Sequence, residues 1–133
     1  DISKTDIYLE EQTFISNELF GALDRTLNHY STELYPFAEK NIKSREKTMH
    51  LLRYDKTGHL PAHQDQGIST RVLSVLLYLN DDYEGGELYF DNFNLNIKPE
   101  AGDLILFPSS YIYSHASVPV KSGTYLIKRA VCL

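Results

Sequence analysis

Three side chains of the types that hold a redox metal stand in the second half of the chain. His63 and Asp65 are separated by one residue, and His115 follows fifty positions after Asp65. Two imidazoles and one carboxylate on the strands of a small barrel form a ligand face that binds Fe(II) and leaves the opposite positions open for a co-substrate and dioxygen. Residues i and i+2 of a strand share a face, so His63 and Asp65 are expected to point at one ion while Gln64 points away. His115, opening a later strand, would complete the set from across the barrel.

A His-x-Asp pair is weak evidence alone, and its neighbours decide its weight. Before it comes Arg53-Tyr54. After it come Arg71-Val-Leu-Ser-Val-Leu-Leu-Tyr-Leu-Asn80, then Gly85-Gly86-Glu-Leu88, then Pro99-Glu-Ala-Gly-Asp-Leu-Ile-Leu-Phe107, and finally His115-Ala-Ser-Val-Pro-Val-Lys-Ser-Gly-Thr124. In this order the segments resemble the Fe(II)/2-oxoglutarate-dependent dioxygenases, in their prolyl 4-hydroxylase-like branch, over about residues 48–133. The resemblance implies Fe(II) on His63, Asp65 and His115, with 2-oxoglutarate and O2 as co-substrates and ascorbate as an accessory candidate. The implied activity is hydroxylation of a C–H bond, of a prolyl residue in a peptide or protein, with release of succinate and CO2.

Chelated 2-oxoglutarate would bury its distal carboxylate, which needs a cation and a hydroxyl because an unpaired buried charge is costly. By resemblance Tyr78 matches the tyrosine that bonds this carboxylate, and Tyr54 the one near the chelating end. Either could instead be a core aromatic. The position where the family carries its basic residue is Tyr125 here, which can donate a hydrogen bond but brings no charge. Arg129, four residues on and so on the same strand face, is the expected replacement. Lys128 is second choice if a bulge reverses the alternation, and both could be solvent-facing charges of an edge strand.

The other histidines read as less specific. His29 near a helix end and His50 on a strand of mixed polarity fit structural places, and His59 fits a solvated loop or the rim of a substrate entrance. Arg71 and the loop 56–71 beside the metal ligands are where contacts to a peptide are expected. Two other readings stay open: hydroxylation of a free amino acid or other small molecule, and a catalytically silent metal- or ligand-binding jelly roll, the latter favoured by Tyr125.

These groups need a scaffold. The 133 residues suffice for one core and predict a single domain, 1–133. Ser16 is the expected N-cap of an amphipathic helix carrying Leu19, Phe20, Leu23, Leu27, Tyr30 and Leu34, within a helical part of about 14–40. A basic connector, 40–47, follows, and then β-branched and aromatic runs broken by turn residues. Strands are expected at 48–54, 71–79, 87–90, 93–98, 104–107, 115–118 and 124–133. That series suits a mainly β fold, a double-stranded β-helix (jelly roll) with an N-terminal packing helix.

The net charge of −5 argues against nucleic acid as the main partner, since neutralising phosphates needs a basic surface. No stretch reaches transmembrane length, and no membrane partner is expected. The lone Cys132 and a start without an apolar signal core favour the cytoplasm, with a removed leader still open. Oligomeric state is not legible.

Overall fold

In the computed structural model the described residues are 7–9, 14–34, 36, 49–67 and 70–132, the side chains of 7–9, 14–17, 49 and 126–132 excepted. The basic connector lies outside them. Among the described residues eleven strands and one α-helix follow in the order β1 (Ile7–Leu9), α1 (Phe14–His29), β2 (Met49–Tyr54), β3 (Leu60–His63), β4 (Leu73–Tyr78), β5 (Glu84–Gly85), β6 (Leu88–Phe90), β7 (Leu95–Ile97), β8 (Leu104–Pro108), β9 (His115–Ser117), β10 (Val120–Ser122) and β11 (Tyr125–Cys132).

The larger sheet runs β1-β2-β11-β4-β8 and the smaller one β3-β9-β6-β7, with β10-β5 as a separate ribbon. Every pairing is antiparallel. This is the expected mainly β jelly roll: apart from the β6-β7 hairpin, neighbouring strands in each sheet come from distant parts of the chain, and the two inner faces enclose one core. Leu52, Leu76, Leu88, Phe90, Phe107 and Val120 fill it together with Tyr54, Tyr78, Tyr83 and Tyr125.

The alternation of β4 explains where the helix goes. Leu76 and Tyr78 join the core, while Val75, between them and Ser74, packs under Phe20 and Leu23 of α1 with Leu104 and Leu106 of β8. The helix thus covers the outer face of the larger sheet, and each fully buried side chain such as Leu23 gains about 2 kcal/mol from leaving water.

Several boundaries differ from expectation. The helix starts at Phe14, so Ser16 lies in its first turn instead of capping it. Its far end widens into a π-wound turn, Tyr30–Leu34, before Pro36. Phe93 belongs to a short 3₁₀ turn, Asp91–Phe93, closed by Asn94 at φ 47°, and strand β7 begins only at Leu95. Strands β1, β3, β5 and β10 were not anticipated; at two to four residues they are too short to display a period of two. Among the described residues no helix is long and apolar enough to cross a membrane.

Candidate metal centre and its tyrosine floor

The centre starts from one cross-strand pair. Strands β3 and β9 run antiparallel with His63 directly opposite His115, and their rings meet at 4.4 Å between centroids. The sequence reading had His115 arriving from across the barrel; it is the immediate neighbour of His63 in the same sheet. The contribution from the opposite sheet is to the carboxylate. Asp65 lies in a bend beyond the end of β3, so strand alternation alone does not aim it. It is aimed by Ser74 of β4, whose Oγ donates to Asp65 Oδ2 at 2.6 Å, while Ser109 Oγ stands 2.8 Å from Ser74 Oγ. Ser74 spends its single proton on the carboxylate, so Ser109 donates to it and the pair forms a relay.

Each imidazole is oriented by a backbone carbonyl. His63 Nδ1 donates to Pro61 O at 2.8 Å and His115 Nδ1 to Tyr113 O at 3.0 Å. A carbonyl can only accept, so in the neutral rings Nδ1 carries the hydrogen and Nε2 keeps its lone pair for a metal. Phe107 meets the His115 ring edge-on at 4.8 Å and fixes its plane. Asp65 Oδ1 stands 3.3 Å from His63 Nε2 and Oδ2 stands 3.8 Å from His115 Nε2. The three donors all lie within 4.8 Å of one another, and two cis donors at about 2.1 Å from one ion are about 3 Å apart. Two imidazoles and a carboxylate converging in this way fit Fe(II). The side chains of Asp65 and His115 are 5% and 6% exposed against 29% for His63, so the face opens to solvent on the His63 side.

Inward from the three ligands, Leu52, Tyr54, Leu60, Leu76, Leu88 and Ser117 border a space of about 20 Å³, room for about one water molecule. Beyond it lies a floor of tyrosines. Tyr125, with no exposed surface, stacks on Tyr54 at 4.6 Å and 10° between planes and meets Tyr83 at 4.9 Å. Its hydroxyl donates to Ser117 Oγ at 2.9 Å. Burial pushes the ionisation of Tyr125 and Tyr78 far up, and that of Tyr83 up to about 12, with Asp81 and Glu87 adding to the last. The floor is therefore a set of neutral phenols. Gly86, at φ +65°, leaves the gap the Tyr125 ring fills: a Cβ there would stand 2.7 Å from that ring. Tyr83 Oη is buried with no hydrogen-bond partner among the described residues, and Lys98 Nζ lies 3.5 Å above its ring while donating to the carbonyls of Tyr83 and Gly85.

The other anticipated residues divide. Tyr54 borders the interior space; Tyr78 is buried behind it, 6.3 Å from Tyr125 between ring centroids. Arg71 donates to the backbone carbonyl of Asp65 at 3.4 Å, which ties the ligand loop. His59 bonds the Thr57 carbonyl and does not border the interior space. Lys128 and Arg129 are placed by register only: Lys128 pairs with Leu51 and Leu77, Arg129 with His50 and Leu76. Their side chains lie outside the described residues. Ser74, Ser109 and Ser117 escaped the sequence reading. The available signal was a hydroxyl inside the apolar run Leu73-Ser74-Val75-Leu76, at a position that alternation puts on the inner face.

The family description "2OG-Fe(II) oxygenase superfamily" matches residues 49–133, which include all three ligand candidates. The chain belongs to the 2OG-Fe(II) oxygenase superfamily. It is 43% identical over 61 residues to a putative prolyl 4-hydroxylase of Acanthamoeba polyphaga mimivirus, covering 40% of this chain and 25% of that protein. Its fold superposes on the viral collagen prolyl hydroxylase of Paramecium bursaria Chlorella virus-1, solved with 2OG, at a TM-score of 0.76 and 20% identity, over 97% of this chain and 78% of that one. It also superposes on a Trichoplax adhaerens prolyl hydroxylase, solved with a hypoxia inducible factor peptide fragment, at a TM-score of 0.78 and 20% identity, over 99% and 63% of the two chains. The chain spans between a quarter and a half of the length of the curated relatives it matches.

Proposed function

We propose that this oxygenase hydroxylates a prolyl residue of a peptide or protein, using Fe(II) held by His63, Asp65 and His115. The observation that carries the reading is the convergence of both Nε2 atoms and the Asp65 carboxylate, with each Nδ1 already committed to a carbonyl. Bound there, Fe(II) with 2-oxoglutarate and dioxygen supplies the oxidation that inserts one oxygen atom into a C–H bond, the other leaving in succinate beside CO2. The chain's own residues prepare that site. Ser74 and Ser109 keep the carboxylate oriented, Phe107 holds His115 in plane, and the leucines of the interior exclude bulk water. Tyr54 bounds the interior beside the ligands, and Arg129, on the register row of Leu76 and His50, supplies the positive charge for the distal carboxylate in place of a basic residue at 125.

The prolyl assignment leans on the relatives named above, and an acidic net charge of −5 favours peptide over polynucleotide. The test is succinate release by the purified protein given Fe(II), ascorbate and 2-oxoglutarate in air, with and without a proline-containing peptide. Stimulation by the peptide and a gain of about 16 mass units on proline, one oxygen atom, is expected. Coupling to a free amino acid but to no prolyl peptide removes the prolyl assignment and keeps the oxygenase.

A second reading is a silent ligand-binding jelly roll, favoured by Tyr125 at the cation's usual position and by the narrow interior. No succinate under any condition, with iron still bound, selects it.

A further inference from the structure

Ser117 plays no part in holding the metal, yet with Tyr54 it brings a hydroxyl to the border of the interior space below the ligands. It lies two residues after His115 on β9, so the two share a face about 7 Å apart along the strand, comparable to the length of a five-carbon diacid. Its oxygen accepts from Tyr125. A hydroxyl has one proton to give, and among the described residues that of Ser117 goes to no acceptor. Ser74, by contrast, gives its own to Asp65.

Tyr125 cannot easily turn elsewhere. It is wedged against Gly86, stacked on Tyr54 and in contact with Tyr83, so its hydroxyl stays fixed behind Ser117 as a donor, and burial keeps it protonated. The family position of the cation has thus become the rear half of a two-hydroxyl chain whose front half faces the ligand space. We propose that Ser117 and Tyr125 form a neutral relay, Tyr125 Oη–H to Ser117 Oγ–H to a carboxylate oxygen, that reads the distal carboxylate of 2-oxoglutarate. The inference rests on the oxygenase reading above and adds a residue to it. In such a chain each bond polarises the next, so the front donor is stronger than an isolated serine. The relay supplies hydrogen bonds and direction, while charge comes separately from the cation assigned to Arg129.

The relay is tested by anaerobic titration calorimetry of the Fe(II)-loaded protein, with 2-oxoglutarate and with 2-oxopentanoate, a keto acid of the same length lacking the distal carboxylate. Wild type should prefer 2-oxoglutarate. Ser117→Ala and Tyr125→Phe, which keep the backbone and the stacked ring, should each weaken 2-oxoglutarate about fivefold to tenfold. They should leave 2-oxopentanoate and iron affinity unchanged. Because the two act in series, the double variant should lose little more than Ser117→Ala alone. Unchanged 2-oxoglutarate affinity in Ser117→Ala, or equal losses for both keto acids, overturns the relay while the oxygenase reading stands. A wild type that binds iron but not 2-oxoglutarate overturns both.

Discussion

The two ends of the barrel solve the problem of buried polarity in opposite ways. At the ligand end each ligand candidate is oriented by an outward partner so that its ligating atom faces the other two: His63 by Pro61 O, His115 by Tyr113 O, Asp65 by Ser74. At the floor Tyr54, Tyr78, Tyr83 and Tyr125 are packed ring on ring, burial keeps the last three neutral, and one hydroxyl, Tyr83 Oη, has no partner among the described residues. The first arrangement is preorganised for a cation. The second tolerates unmet polarity because phenols carry enough apolar surface to repay it. Function is therefore expected to fail abruptly at the ligand end and gradually at the floor.

The largest effect should come from the ligands themselves. His63→Ala or Asp65→Ala should abolish iron binding with the fold mostly kept, and retention of one tight iron by the double variant His63→Ala, His115→Ala would sink the assignment. Ser74→Ala probes the support. It removes the 2.6 Å bond that turns Asp65 inward, and loss of such a partner typically costs about 10- to 100-fold in metal affinity. An iron titration that places Ser74→Ala within twofold of wild type would mean that Asp65 is aimed by its loop alone.

At the floor, the contrast is between neighbours on β11. Alternation puts Arg129 with Tyr125 and Ile127, opposite His50 and Leu76, and Lys128 on the reverse face. Arg129→Ala should weaken 2-oxoglutarate by about 2 kcal/mol or more, the scale of a buried charge-assisted bond, with iron affinity little changed. Lys128→Ala should be nearly silent. The reverse ranking would mean that the relay and the cation lie on opposite faces of the strand and cannot read the same carboxylate.

How far the sequence discloses these two ends differs for a physical reason. The ligand types and their order are chemistry written into residue identity, and His63, Asp65 and His115 are legible from it. Their relative placement is not, because it depends on which strands become neighbours. The pairing of β3 with β9 rests on strands of four and three residues, too short for a periodic signal, and Asp65 owes its direction to a serine nine residues on. The long strands β2, β4 and β11 and the helix were legible from their apolar periods. The tyrosines were visible as residues, but their mutual stacking depends on the glycine at 86 giving up its side-chain volume to Tyr125, a three-dimensional fact. Arg71 shows the same limit: nothing in its type announces that it donates to the chain's own Asp65 carbonyl.

The smallest effect expected is on stability at high pH, and it belongs to the floor alone. An unfolded tyrosine ionises near pH 10, whereas burial, with help from Asp81 and Glu87, pushes Tyr83 up to about 12, and Tyr78 and Tyr125 are raised as well. Below pH 10 both states hold these protons, so the contribution to stability is whole and pH-independent. As pH climbs from 10 through 12 the unfolded chain releases protons that the folded chain retains, and stability falls with pH. Urea midpoints taken between pH 8 and 12 should show that decline, and Tyr83→Phe, which removes one of the raised groups along with its unpartnered hydroxyl, should make it shallower. If Tyr83→Phe and wild type decline in parallel, the phenol of Tyr83 has found a solvated position, and the floor is less closed than the ring contacts imply.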